Sequence, residues 1–338
     1  MPRRLPLLLA CLAGVLASGC DVGASVDLDA PAHEPGVAVR ATLAAGAAPT
    51  VRLSLSRDPY GPADGDLPSA TPPGATVTLW RDGRLVETLA ARPQTCYTRR
   101  ETRCNPETGA TELVAEEGAY PCGAFGGALP VESGGTYTVR AEVPGYPTVE
   151  ATVVVPAAAS VMARETAGPD AETRRLVVDV TDPPAADTRY GIVVFREFDR
   201  FDTQACAVGG PRDTTVVLGF AARTGTRFHS TDPVLTANAV APPDGFRLAT
   251  FTDATFAGGT AALTVDVPRA STQTALGFTG GLVVQVAVLS ETLYDAYQTT
   301  GGLPLGDNPF AEPANLPSNV AGGYGRLGAV AFAEASVP

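Results

Sequence analysis

Residues 74–90, GATVTLWRDGRLVETLA, constrain the fold more than any other stretch. Apolar and polar residues alternate on both sides of Asp82-Gly83. A two-residue Asp-Gly step between alternating arms is a strong signal for a tight hairpin, because both turn residues must adopt positive φ. The period of two puts Ala75, Val77 and Leu79 on one face. The same grammar recurs in VAVRATL (37–43), TVRLSLS (50–56), GGTYTVRAEV (134–143) and YPTVEATVVV (146–155). About seven short strands between residues 25 and 156 are expected from these runs, a number and spacing that fit an immunoglobulin-like β-sandwich.

The second half continues in kind. RRLVVDVTD, YGIVVFREF, TTVVLGFAA, RLATFTD, AALTVDV and GLVVQVAVL are short, β-branched and bounded by Pro, Gly or Asp. A second β-sandwich domain is expected over 157–338, so the fold class is all-β with two sandwiches in tandem. One helix breaks the pattern, at SETLYDAYQTT (290–300). There Ser290 stands at the cap position, Glu291 suits the first turn, and Leu293, Tyr294 and Tyr297 form one apolar stripe.

The first twenty residues, MPRRLPLLLACLAGVLASGC, carry two arginines, then an apolar run, then small residues. This is the order of a signal peptide, expected over 1–19, and the run is too short to span a bilayer. Ala17-Ser18-Gly19-Cys20 reads as a lipobox, with Cys20 the acylated first residue and 20–24 its tether. Two or more acyl chains would hold such a protein firmly to a membrane. The formal charge is −12, and loss of Arg3 and Arg4 with the signal makes it −14. An acidic surface of this kind argues against nucleic acid as a partner.

Cys96, Cys104, Cys122 and Cys206 remain in what reads as an exported chain, where disulfides are favoured. Three of them lie between 96 and 122, a stretch rich in Arg, Glu and Gly that reads as a long loop. One bridge inside it is expected, with Cys206 either paired to this loop or free. Zinc is disfavoured, since there is no CxxC pair and neither His33 nor His229 lies close in sequence.

Catalytic and cofactor motifs are weak throughout. Gly322, Gly323 and Gly325 lack the strand-glycine-helix context that cradles a phosphate, because RLGAVAF after them is a strand pattern. Their expected role is to permit unusual backbone angles where the last strand enters its sheet. His229, with Ser230 and Asp232 beside it, has the residue types of a triad but sequence neighbours on a strand face opposite ways. Asp58, Asp64 and Asp66 in DPYGPADGDLP could present oxygen ligands, yet without EF-hand spacing. No catalytic residue, metal or cofactor is therefore assigned. Tyr97, Tyr120 and Phe125 flank the cysteine stretch and are candidates for stacking on a glycan or anchoring a peptide ligand.

Taken in order, TVRLSLSRD, GATVTLW, GGTYTVRAEV, STDPVL, FTDATFAGG, LSETLYDAY and NPFAEPANLPSNVAGGYG resemble the domain-of-unknown-function family 4249 of Bacteroidota outer-membrane lipoproteins. The closing motif, with Asn308, Pro309, Phe310, Glu312, Pro313, Ser318, Asn319, Gly322 and Gly323, is the most specific part. The cysteine-bearing stretch departs from that pattern. The resemblance implies a lipid-anchored protein of the outer membrane, facing the cell surface, and a TonB-dependent receptor as partner. The expected function is that of a non-enzymatic accessory or ligand-capturing subunit. The alternative is an independent glycan-binding module or hydrolase on a β-sandwich scaffold.

Overall fold

The computed structural model describes residues 34–56, 71–104, 111–184, 187–198, 222–237, 245–269, 278–300 and 317–337. Seven strands occupy the first half: β1 (Val37–Ala44), β2 (Thr50–Leu55), β3 (Thr76–Arg81), β4 (Arg84–Cys104), β5 (Thr111–Gly126), β6 (Thr136–Glu142) and β7 (Val149–Val154). The remainder is β8 (Ser160–Thr166), β9 (Thr173–Thr181), β10 (Arg189–Phe198), β11 (Ala222–Thr226), α1 (Pro233–Thr236), β12 (Ala249–Thr252), β13 (Thr260–Pro268), β14 (Phe278–Leu289), α2 (Glu291–Thr300), β15 (Val320–Ala321) and β16 (Tyr324–Val337). The chain is all-β in class, and its sheets pack as a sandwich.

Hydrogen-bonded neighbours run β11-β10-β14-β16-β1-β2-β5-β4-β3-β6-β7-β15, with β12 also on β10, while β13-β9-β8 form a separate small sheet. Strand β4 is where the path turns over. Its first residues, Arg84 to Leu89, pair with β3, and from Ala90 onward it pairs with β5. The hairpin into β4 has Asp82 at φ 49° and Gly83 at φ 76°, the doubly positive geometry that an Asp-Gly turn supplies.

Alternation fills the first core. Val37, Val39, Ala41 and Leu43 of β1 are buried against Val77 and Leu79 of β3, Val139 and Ala141 of β6, and Val149, Ala151 and Val153 of β7. A second core gathers Leu176, Val178 and Val180 of β9, Leu263, Val265 and Val267 of β13, Ile192 and Val194 of β10, and Val284, Val286 and Val288 of β14. Each such side chain contributes about 1.5–3 kcal/mol on leaving water.

Strand β16 serves both cores. Tyr324 to Val330 run parallel to β1, and Val330 to Val337 run antiparallel to β14. Leu327 and Ala329 point into the first core and Val337 into the second. Between them, Val330 packs with Leu289, Leu293 and Tyr294 beneath α2.

One expectation needs correction here. The stretch from Cys96 to Cys122 is not a loop: β4 and β5 pair from Ala90 opposite Gly126 to Cys104 opposite Thr111, with one register shift between Glu101 and Thr102. The register sets Arg99 opposite Glu117, Arg100 opposite Glu116 and Arg103 opposite Glu112. A sequence rich in Arg, Glu and Gly carries little strand signal of its own, which is why the ribbon reads as a loop. Ser290 stands at the cap position as expected, its carbonyl accepting from the Tyr294 N–H at 3.0 Å, and its hydroxyl accepts from the Ala329 N–H at 3.0 Å. It fastens the start of α2 to β16. The helix itself lies where its periodicity predicts, with Leu293 and Tyr294 buried.

Candidate functional site

A cleft of about 430 Å³ opens where the end of β7, the segment after it, the β9–β10 connection and the start of α2 come together. Val153, Val154, Pro156 and Pro183 give it an apolar side, and Thr188, Arg189, Ser290 and Glu291 a polar one. Arg189 Nη2 donates to Glu291 Oε1 at 2.8 Å, and the Glu291 side chain is 69% exposed. Asp187, at φ 57°, turns the chain at the rim. Such a pair in solvent is weak, so the arginine is available to an incoming anionic group.

Behind the cleft lies a buried polar group. The Tyr190 hydroxyl donates to Asp182 Oδ1, and Gly258 N–H donates to Asp182 Oδ2 at 2.8 Å. Asp253 N–H donates to the Thr188 carbonyl at 3.1 Å. The Tyr190 ring stacks on Phe251 at 4.9 Å and on Phe256 at 5.9 Å. Burial, followed by the hydrogen bond to Asp182 and its charge, pushes the Tyr190 hydroxyl far above the ordinary phenol range. Among the described residues no three His, Cys, Asp or Glu side chains converge on one point.

The glycine-rich end of the chain is a seating device. A Cβ on Gly322 would lie 2.3 Å from the Thr148 carbonyl oxygen, on Gly323 2.3 Å from that of Val37, and on Gly325 2.0 Å from that of Val39. Gly322 and Gly325 also have φ of 74° and 103°. Asn319 completes the seat. Its Nδ2 donates to the carbonyls of Leu327 at 2.9 Å and Thr152 at 3.1 Å, while Oδ1 accepts from Leu327 N–H at 3.0 Å. One amide thus joins β16 to β7.

The residues around His229 are used structurally. His229 and Asp266 exchange main-chain hydrogen bonds at 2.8 Å. Ser230 donates to the Thr264 carbonyl at 2.6 Å, and Asp232 caps α1 through Val234 N–H at 2.9 Å while accepting from Thr264 N–H at 3.1 Å. The STDP step thereby pins α1 to β13, a capping role that the Ser-x-Asp-Pro pattern could have signalled.

Phe125 is corrected as a binding candidate: it is 4% exposed and belongs to the first core. Tyr97 lies opposite Ala119 and Tyr120 opposite Cys96. The side chains of Cys96, Tyr97, Cys104 and Tyr120 lie outside the described residues, and Cys122 is buried on β5. Also outside are Cys20, Cys206, the acidic loop with Asp58, Asp64 and Asp66, and Asn308, Pro309, Phe310, Glu312 and Pro313.

No protein-family profile and no curated protein matches the chain. Among solved structures there is a likeness to the Fcho1 Mu homology domain of Danio rerio with bound Eps15 peptide. It has 7% identity and a TM-score of 0.22, over 90% of this chain and 94% of that one. A likeness of that size defines neither fold nor function.

Proposed function

We propose that the chain is a non-enzymatic surface lipoprotein, anchored to the outer membrane through acylated Cys20 and serving as an accessory or ligand-capturing partner of a TonB-dependent receptor. The observation that carries the reading is the lipobox ending at Cys20, taken with the closing motif and its resemblance to the Bacteroidota lipoprotein family. Among the described residues no helix is long and apolar enough to cross a membrane, which is compatible with a lipid anchor. The β4–β5 ribbon supplies a docking arm. From Arg92 to Cys104 it pairs, among the described residues, only with its own hairpin partner, giving roughly 40 Å of strand at the usual rise per residue.

The proposal extends to architecture. An immunoglobulin-like sandwich over 25–156 followed by a second over 157–338 is compatible with the two larger apolar clusters, provided that β15 and β16 from the second stretch complete the first. Cys122 is not a free thiol, and we assign it to a disulfide with one of Cys96, Cys104 and Cys206, which stiffens the arm. Mass spectrometry of the non-reduced, protease-digested protein identifies the partner.

A second reading is favoured by the cleft beside Arg189: an independent glycan-binding module or hydrolase that takes an anionic ligand there. Affinity purification of the tagged protein from outer membranes in mild detergent separates the two. Recovery of a receptor in stoichiometric amount supports the accessory role. Recovery of the lipoprotein alone removes its basis and moves attention to glycan and peptide arrays.

A further inference from the structure

Asp253 is 2% exposed, and its Oδ2 accepts no hydrogen bond among the described residues. Asp182 is 7% exposed and sits in the same polar group. Three segments bring them together: Asp182 follows β9, Thr188 and Tyr190 open β10, and Asp253 begins the turn after β12. That turn closes back on itself. Phe256 N–H donates to the Asp253 carbonyl at 2.7 Å, Gly259 N–H to the Phe256 carbonyl at 2.7 Å, and Asp182 N–H to the Gly259 carbonyl at 2.9 Å.

Among the described residues no Arg or His side chain is paired with either carboxylate, whereas the half-buried carboxylate of Asp179 and the exposed ones of Glu132 and Glu291 each meet an arginine. A buried carboxylate without a partner costs several kcal/mol, and it is tolerated only when a proton or a cation neutralises it. A proton on Asp253 would leave the charge of Asp182 buried and uncompensated by any cation. One divalent ion answers both.

We propose that Asp253 and Asp182 hold a calcium-class cation, with Asp253 Oδ2 as its primary ligand and the Tyr190 oxygen beside it. The chemistry of the donors is hard oxygen throughout, and calcium accepts the irregular oxygen sets that such a turn provides. Asp182 keeps its two hydrogen bonds, because each carboxylate oxygen retains a second lone pair. Tyr190 keeps its hydrogen bond to Asp182 and can turn a lone pair of its oxygen to the ion. Pro183 and Thr188, one residue from Asp182 and two from Tyr190, line the cleft, which makes the cleft the proposed route of entry. The ion would fix the β9–β10 and β12–β13 connections together, stiffening the wall of the cleft.

The test uses the full-length protein, stripped with EDTA and then exposed to calcium chloride alone. A rise in Tm of roughly 5 °C is expected at a hundredfold excess over Kd. Asp253→Asn should abolish that rise while matching or exceeding the Tm of the stripped wild type, because an unpaired buried charge is gone. Terbium provides a readout that requires no variant to fold: excitation of tyrosine should give terbium emission that calcium displaces, and Tyr190→Phe should remove most of it. The proposal is overturned if calcium leaves Tm unchanged, if Asp253→Asn keeps the response, or if wild type shows no calcium-displaceable emission. Stabilisation of the stripped protein by mild acid alone, to the level calcium gives, would assign the neutralising role to a proton and likewise overturn it.

Discussion

The two apolar clusters differ in what they bury. The first, built from β1 to β7 with Leu327 and Ala329, is aliphatic and aromatic throughout. Every buried polar or charged residue in the described parts of the chain falls between Arg174 and Asp253: Arg174, Asp182, Thr188, Arg196, Thr226, Ser230, Thr250 and Asp253. A core that tolerates such groups gives up stability that an apolar replacement would supply. The first cluster is organised as a scaffold, and the second carries the chemistry that a function can use. Arg196 illustrates the cost, with its pKa lowered by burial.

Substitutions can break or sharpen this contrast. The largest effect is expected from Gly325→Ala, where positive φ and the Val39 carbonyl leave no room for a methyl group. Loss of about 3 kcal/mol or more is expected, seen as a lower urea midpoint, and it should affect both clusters because β16 enters both. Leu53→Ala and Leu263→Ala come next, each costing about 2–5 kcal/mol. If the clusters are separate domains, calorimetry should resolve two transitions, each variant lowering one. A single transition lowered by both would erase the distinction as a matter of folding.

Asn319→Ala should cost about 2–3 kcal/mol, since it strands the N–H and C=O of Leu327 and the Thr152 carbonyl. A variant within about 0.5 kcal/mol of wild type by urea titration would mean that water replaces the amide there.

The polar core predicts a pH signature. Tyr190 has its folded pKa raised above its unfolded value near 10. Its contribution is therefore fully present below about pH 10 and is lost as pH rises further, because the unfolded chain releases a proton that the folded one keeps. Stability measured between about pH 9 and 11 should fall with this slope in wild type and fall less in Tyr190→Phe. The smallest effect belongs to the exposed pair at the cleft. Glu291→Ala should change stability by less than about 0.5 kcal/mol, while strengthening binding of any anionic ligand to Arg189, readable by calorimetric titration.

Much of the architecture was legible as alternation. The hairpin at Asp82-Gly83, the buried positions Val77 and Leu79, the second-half strands within the described residues and the helix after Ser290 all follow from periods of two and 3.6, while TTVVLGFAA lies outside the described residues but for Ala222. What was illegible depends on partners distant in sequence. The paired ribbon through Cys96 to Cys122 was hidden because its matching charges become visible only once the register is known. Strand β8, within SVMARET, was missed because Met162 and Arg164 are exposed while only Val161 and Ala163 pack on the second core. The burial of Phe125 could not be separated from display by residue type alone. Asn319 reads in sequence as a turn residue, and its three bonds to two strands are a property of the assembled sheet. Nor does any local pattern announce that Asp182 and Asp253 share one buried site.

The parallel pairing of β1 with β16 carries a consequence for how the molecule comes into being. Ala38 meets Tyr324, so β1 must wait for β16, far along the chain, before this edge is paired. Closing so long a loop is slow and entropically unfavourable until its contacts are made. Until then the β1 edge that β16 will cover remains open to any other strand that meets it. Pairing of the β1 edge is therefore gated by the arrival of β16, and the folding chain depends on whatever shields that edge until then.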